Sequence, residues 1–200
     1  MKAYNGFDRN DTYKEVERLP VGGYVLTIID AKEVVNEYGS SLAIAFDIAE
    51  GDYKDFYKRN FDSQTTEDKK WKGVYRLRVP KDDGTEQDAW TKRRFNTVIV
   101  NIEESNPGYT WDWDEKKLKG KKIGALFNNK EYNFNGRQGF FTNCHSLVPV
   151  EKICSGNFEI PADTLLPTKI DNNGYPIGAK PVGNGFMNIP DGIDEELPFN

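Results

Sequence analysis

Hydrophobic and polar positions alternate in short runs along the first half of the chain. Tyr24-Val25-Leu26-Thr27-Ile28-Ile29 follows Leu19-Pro20-Val21-Gly22-Gly23 and is rich in β-branched and aromatic residues, which predicts a first strand. The polar stretch 36–41 makes a turn. Leu42, Ile44, Phe46 and Ile48 then alternate with Ala43, Ala45, Asp47 and Ala49, a second strand with one bulky face. Two neighbouring strands and a short loop predict an antiparallel pair. From Gly51 to Lys70 no period is visible. In Lys70–Val79, Trp71, Tyr75, Leu77 and Val79 share one parity, while Lys70, Lys72, Arg76 and Arg78 share the other. That is a third strand with an apolar and a basic face.

Residues 86–104 carry Phe95, Val98, Ile99 and Ile102 at i, i+3, i+4 and i+7, which predicts a helix stopped by Asn106-Pro107-Gly108. Ile123, Ala125 and Phe127 open a fourth strand. Asn135-Gly136 is a hairpin signal, Gly139–Val148 the return strand, and Val150–Ser155 a closing helical turn. The order β-β-β-α-β-β matches a mainly β, five-stranded barrel with a helix between strands three and four, the oligonucleotide/oligosaccharide-binding (OB) fold. A generic α+β sheet with one helix gives nearly the same order.

Composition narrows the class. Two hundred residues suit one domain with an appendage, and 37% apolar content argues against wholesale disorder. No apolar run approaches membrane-spanning length, and no apolar stretch follows the N-terminus as a secretory signal requires. Two cysteines, Cys144 and Cys154, build neither a disulfide framework nor a four-ligand metal site. The expectation is a soluble protein of the bacterial cytoplasm, without a cofactor. The net charge of −5 divides unevenly: residues 1–160 hold 25 bases against 26 acids, and residues 161–200 hold 2 against 6. Half of the ten prolines also fall after residue 162. We read 1–160 as the folded domain and 161–200 as a flexible, Gly/Pro-rich acidic tail.

Enzyme signatures are poor, and the expectation is a protein without catalysis. His145 neighbours Cys144 on a strand, where adjacent side chains point to opposite faces and cannot form a nucleophilic pair. Asp82-Asp83-Gly84 and Asp112-Trp113-Asp114 read as solvated turns. The informative pattern interleaves bases with aromatics, in 56–61 (with Tyr57 and Arg59), 70–78 and 116–137. Single-stranded nucleic acid asks for that combination, because cations track phosphates and aromatic faces stack bases. Lys70, Lys72, Arg76, Arg78, Lys121, Lys122 and Arg137 are the candidate phosphate contacts. Trp71, Tyr75, Tyr132 and Phe134 are the candidate stacking platforms, with a place in the core as the alternative for Trp71 and Tyr75.

The tail ends Asp194-Glu195-Glu196-Leu197-Pro198-Phe199-Asn200, acids followed by an apolar tip, as a tethered peptide ligand would. This tip resembles the acidic C-terminal peptide of bacterial single-stranded DNA-binding proteins. The body resembles small single-stranded DNA-binding proteins of phages and prophages of Gram-positive bacteria. The stretches that carry the likeness are Leu19–Tyr24, Phe46–Gly51, Ser105–Asp114, Leu118–Gly124, Arg137, Val150–Ile153 and Ser155–Phe158. The resemblance implies an OB barrel coating single-stranded DNA in replication or recombination, and a tail recruiting partner proteins through Asp194, Glu195, Glu196, Leu197, Pro198 and Phe199. It leaves a homo-oligomer open. In host proteins of this kind Phe is the final residue; Asn200 here moves the terminal carboxylate one residue outward and weakens that expectation. The alternative is a protein-interaction or recombination-mediator module whose barrel does not bind DNA directly.

Overall fold

The structure, a computed structural model, describes residues 5–6, 9, 17–37 and 39–167. It is mainly β. Five antiparallel strands, β1 (Gly22–Asn36), β2 (Gly39–Ile48), β3 (Val74–Arg78), β4 (Lys122–Phe134) and β5 (Arg137–Val148), form one sheet in the order β3-β2-β1-β4-β5. Helix α1 (Phe56–Ser63) lies between β2 and β3, α2 (Glu86–Ser105) between β3 and β4, and α3 (Val150–Cys154) after β5.

Strand β1 is central because it pairs with both β2 and β4. Its first half pairs with β4, from Gly22↔Phe127 to Thr27↔Lys122, and from Leu26 onward it pairs with β2, with a register shift between Ile28 and Asp30. An extra residue at such a point raises the local twist and lets one strand serve two neighbours in different directions. The five expected strands are present, with the helix between strands three and four as read and a further helix, α1, between strands two and three. Closure is not: among the described residues β3 and β5 remain the two edges of the sheet.

The core lies between the sheet and α2. Leu26 and Ile28 of β1, the bulky alternating residues of β2, Tyr75 and Leu77 of β3, and Ile123 and Phe127 of β4 meet Phe95, Val98, Ile99 and Ile102 of α2. Thr85 caps α2, its hydroxyl accepting from the Asp88 N–H at 3.1 Å. At the other end Asn106 exchanges hydrogen bonds with the backbone of Lys122, donating at 2.7 Å and accepting at 2.9 Å, which ties the helix to the start of β4.

Two features depart from the sequence reading. The segment 51–70, in which no period was visible, contains α1, and the cause lies outside it. Asp47, on the small-residue face of β2, is buried and accepts from the Ile48, Tyr57 and Lys58 N–H groups at 2.8, 2.9 and 3.0 Å. The last two are orphan donors of the α1 N-terminus, so a strand residue caps a helix that its own short sequence does not announce. Desolvation pushes the Asp47 carboxyl above its ordinary value, and the three N–H donors oppose that rise.

The second feature is the start of the tail. Thr164 bridges Lys130 in parallel, its N–H donating to the Asn129 carbonyl at 2.8 Å and its carbonyl accepting from the Glu131 N–H at 2.9 Å. Fully buried Asn128 donates to the Ala162 carbonyl at 2.7 Å and to the Thr164 hydroxyl at 2.9 Å. Residues 162–166 thus lie along the part of β4 that β1 has left, beyond the domain boundary read at residue 160. Upstream, the Phe158 ring lies so close to Gly23 that a Cβ there would come within 2.6 Å of it. Of the membrane expectation the structure says one thing: among the described residues no helix is long and apolar enough to cross a bilayer.

Candidate nucleic-acid interface

The free edges β3 and β5 border a cleft of ≈ 450 Å³. Lys72 and Arg76 reach it from the β3 stretch, Arg94 from α2, Lys130 from β4, and Asn143 and His145 from β5. Four of these are cations, and among the described residues no carboxylate lines the cleft. A second cleft, of ≈ 390 Å³, is lined by Glu50 and Asp52 beside Tyr24 and Tyr53 and, among the described residues, by no cation, although Lys122 stands 4.0 Å from Glu50. A nearly neutral domain therefore presents segregated charge, and a groove lined by one sign focuses its field on a ligand of the other.

Local sequence builds the β3 wall. Tyr75 and Leu77 point into the core, which turns Val74, Arg76 and Arg78 to the other face. Directly opposite Arg76 and Val74 on β2 stand Ala43 and Ala45, both fully buried. Small residues there leave room on the sheet surface for the long stem of an arginine. At the foot of the wall Gly73 is obligatory in a packing sense, since a Cβ would collide with the Phe46 carbonyl and the Tyr57 ring.

The sequence-predicted residues are dispersed by this arrangement. Lys72, Tyr75 and Arg76 reach the cleft. Tyr75 does so as a support, because its ring is buried and its hydroxyl accepts from the Arg94 guanidinium at 3.2 Å. Arg78 is exposed two residues along the same face. Lys70 is half-buried, its N–H held by the Gln64 side chain at 2.7 Å. Trp71 acts as a brace: its indole N–H donates to the Phe46 and Gly73 carbonyls, both at 3.2 Å, and its ring leans on Phe61.

Tyr57 belongs to the core, with its ring edge-on to Phe46 at 5.3 Å, and burial pushes its hydroxyl well above the ordinary phenol value. As placed, it presents no face to a base. Arg59 is engaged by Glu17 at 3.4 Å and by the Lys54 carbonyl. Lys121 sits over the Tyr109 ring at 4.6 Å, and Lys122 is 4.0 Å from Glu50. Both lie eight residues or more before Lys130, about 27 Å along an extended strand. Tyr132 is buried against Phe141, while Phe134 and Arg137 stand opposite each other at the Asn135-Gly136 turn, half-buried and exposed respectively. The tail residues Asp194, Glu195, Glu196, Leu197, Pro198 and Phe199 lie outside the described residues.

Arg94, Lys130, Asn143 and His145 are the cleft residues that sequence reasoning did not single out. Each comes from a different position on α2, β4 or β5, and only the sheet order brings them to one place. Cys144 also borders the cleft, and burial holds its thiol well above the ordinary value, so at neutral pH it is the protonated, poorly nucleophilic form. Cys144 packs against the core whereas His145 is exposed, in keeping with their opposite faces. Compared with protein-family models the chain matches none, and compared with curated proteins it has no match.

Proposed function

We propose that this chain is a non-sequence-specific single-stranded DNA-binding protein on an OB-type barrel, coating DNA during phage replication or recombination, with its acidic tail recruiting partner proteins. The observation that carries the reading is the cleft between β3 and β5, which four cations and, among the described residues, no carboxylate line. The strand order, with β1 at the centre and the helix between β3 and β4, supports the barrel reading.

Fluorescence anisotropy of a labelled oligo-dT about 30 nucleotides long, at two salt concentrations and against a duplex competitor, tests it. If the four cations meet four phosphates, log K falls against log salt with a slope near −2.8, at roughly −0.7 per contact. Between 50 and 200 mM salt that is a loss of about fiftyfold. Duplex that displaces the oligonucleotide, or binding indifferent to salt, overturns the proposal.

One observation favours the second reading, a protein-interaction module. Trp113 is 76% exposed, stacked on Phe95 at 6.1 Å, and held at φ 67°, a backbone conformation that bulky residues seldom adopt. An indole fixed in that way suits a partner surface. Under that reading oligo-dT is not bound at all.

A further inference from the structure

One flank of α2 carries an exposed tryptophan beside residues that bond to the sheet. Trp90, Arg94, Thr97 and Asn101 stand at i, i+4, i+7 and i+11, which keeps them on one flank of the helix. Two of them fix the direction in which that flank faces. Arg94 donates to the Tyr75 hydroxyl of β3 and lines the cleft, and Asn101 donates to the Leu147 carbonyl of β5 at 2.9 Å. Trp90 sits one turn before Arg94 on that flank and is 55% exposed. The Arg94 guanidinium lies 5.5 Å from the centre of its ring. Trp113 belongs to the other flank, where the Trp111 N–H donates to Glu103 and the Trp113 ring covers Phe95.

We propose that Trp90 is a base-stacking platform, steadied by Arg94, that carries a single strand from the basic cleft onto α2. This rests on the nucleic-acid reading and adds to it a site outside the sheet. The chemistry is complementary. A guanidinium on one face of an indole leaves the other face for a planar base, and the same cation stands within reach of the phosphates that the cleft holds. Stacking of this kind is indifferent to base identity, as a coating protein requires.

The experiment compares two labelled ligands with equal numbers of phosphates, oligo-dT of 30 nucleotides and an abasic deoxyribose-phosphate chain of the same length. The proteins are the full chain, Trp90→Ala and Trp90→Phe, with circular dichroism and thermal unfolding as folding controls. The expected result is that Trp90→Ala weakens oligo-dT binding about tenfold, the weight of one stacked base, with the salt slope and the abasic affinity unchanged. Trp90→Phe recovers most of the loss. Equal weakening for both ligands overturns the stacking role, as does an unchanged oligo-dT affinity while the unmodified chain binds tightly. If the unmodified chain binds neither ligand, the nucleic-acid reading falls, and the platform with it.

Discussion

Replacing Arg76 with alanine removes one of the four cleft cations and leaves the core face of β3 intact, because Arg76 points away from Tyr75 and Leu77. Its effect follows from counterion release. One phosphate contact fewer takes about 0.7 from the salt slope, from near −2.8 to near −2.1. The affinity lost then depends on the salt at which it is read: about fourfold at 150 mM and about eightfold at 50 mM. Lys130→Ala, on the opposite side of the cleft, has the same expected effect, and the double variant brings the slope near −1.4. Lys122→Ala is the control, since Lys122 faces Glu50 at the far end of β4. The assay is the oligo-dT anisotropy titration at four or more salt concentrations, with thermal unfolding to establish that each variant is folded. Slopes that are the same for Arg76→Ala, Lys130→Ala and the parent protein would refute the cleft as the phosphate track, whatever the absolute affinities.

Four further outcomes test the fold. Asp47→Ala leaves the α1 N–H groups of Tyr57 and Lys58 without an acceptor and lowers stability by about 2–4 kcal/mol, read from thermal or urea unfolding. The carboxyl of Asp47 is raised in the fold, so the stability it contributes through protonation is full below 3.8 and is lost as pH rises through the folded-state value. Relative to Asp47→Asn the parent protein therefore loses stability over that window and runs parallel above it; a gain with rising pH contradicts the assignment. At pH 8 a thiol reagent such as DTNB reacts quickly with exposed Cys154 and slowly with Cys144, and denaturant releases the second thiol; two equally fast thiols would contradict the burial of Cys144. Asn128→Ala removes the donor to Ala162 and Thr164, and hydrogen exchange at the Glu131 and Thr164 amides is expected to accelerate while the amides between β1 and β2 stay protected.

Features that depend on period and on local chemistry were legible in the amino-acid order. Helix α2 was legible because Phe95, Val98, Ile99 and Ile102 recur at 3.6 residues and bury one stripe. The bulky face of β2 and the basic face of β3 were legible because a strand alternates with period 2, although β2 is buried on both faces from Leu42 to Ile48, and Asn135-Gly136 marked the β4–β5 turn. Strands β1 and β4 extend past their hydrophobic runs, since their outer residues are held by pairing with neighbouring backbone rather than by burial. Helix α1 was hidden because its cap, Asp47, precedes it by nine residues on another element. The docking of residues 162–166 was hidden because it depends on Asn128 and on a stretch of β4 backbone left unpaired by the bend in β1. Of the site, the chain displayed Lys72 and Arg76. Only the tertiary structure decided that Arg94 and Lys130 stand across from them and that Lys121 and Lys122 do not, because the order of strands in a sheet is set by hydrogen bonding between segments far apart in sequence.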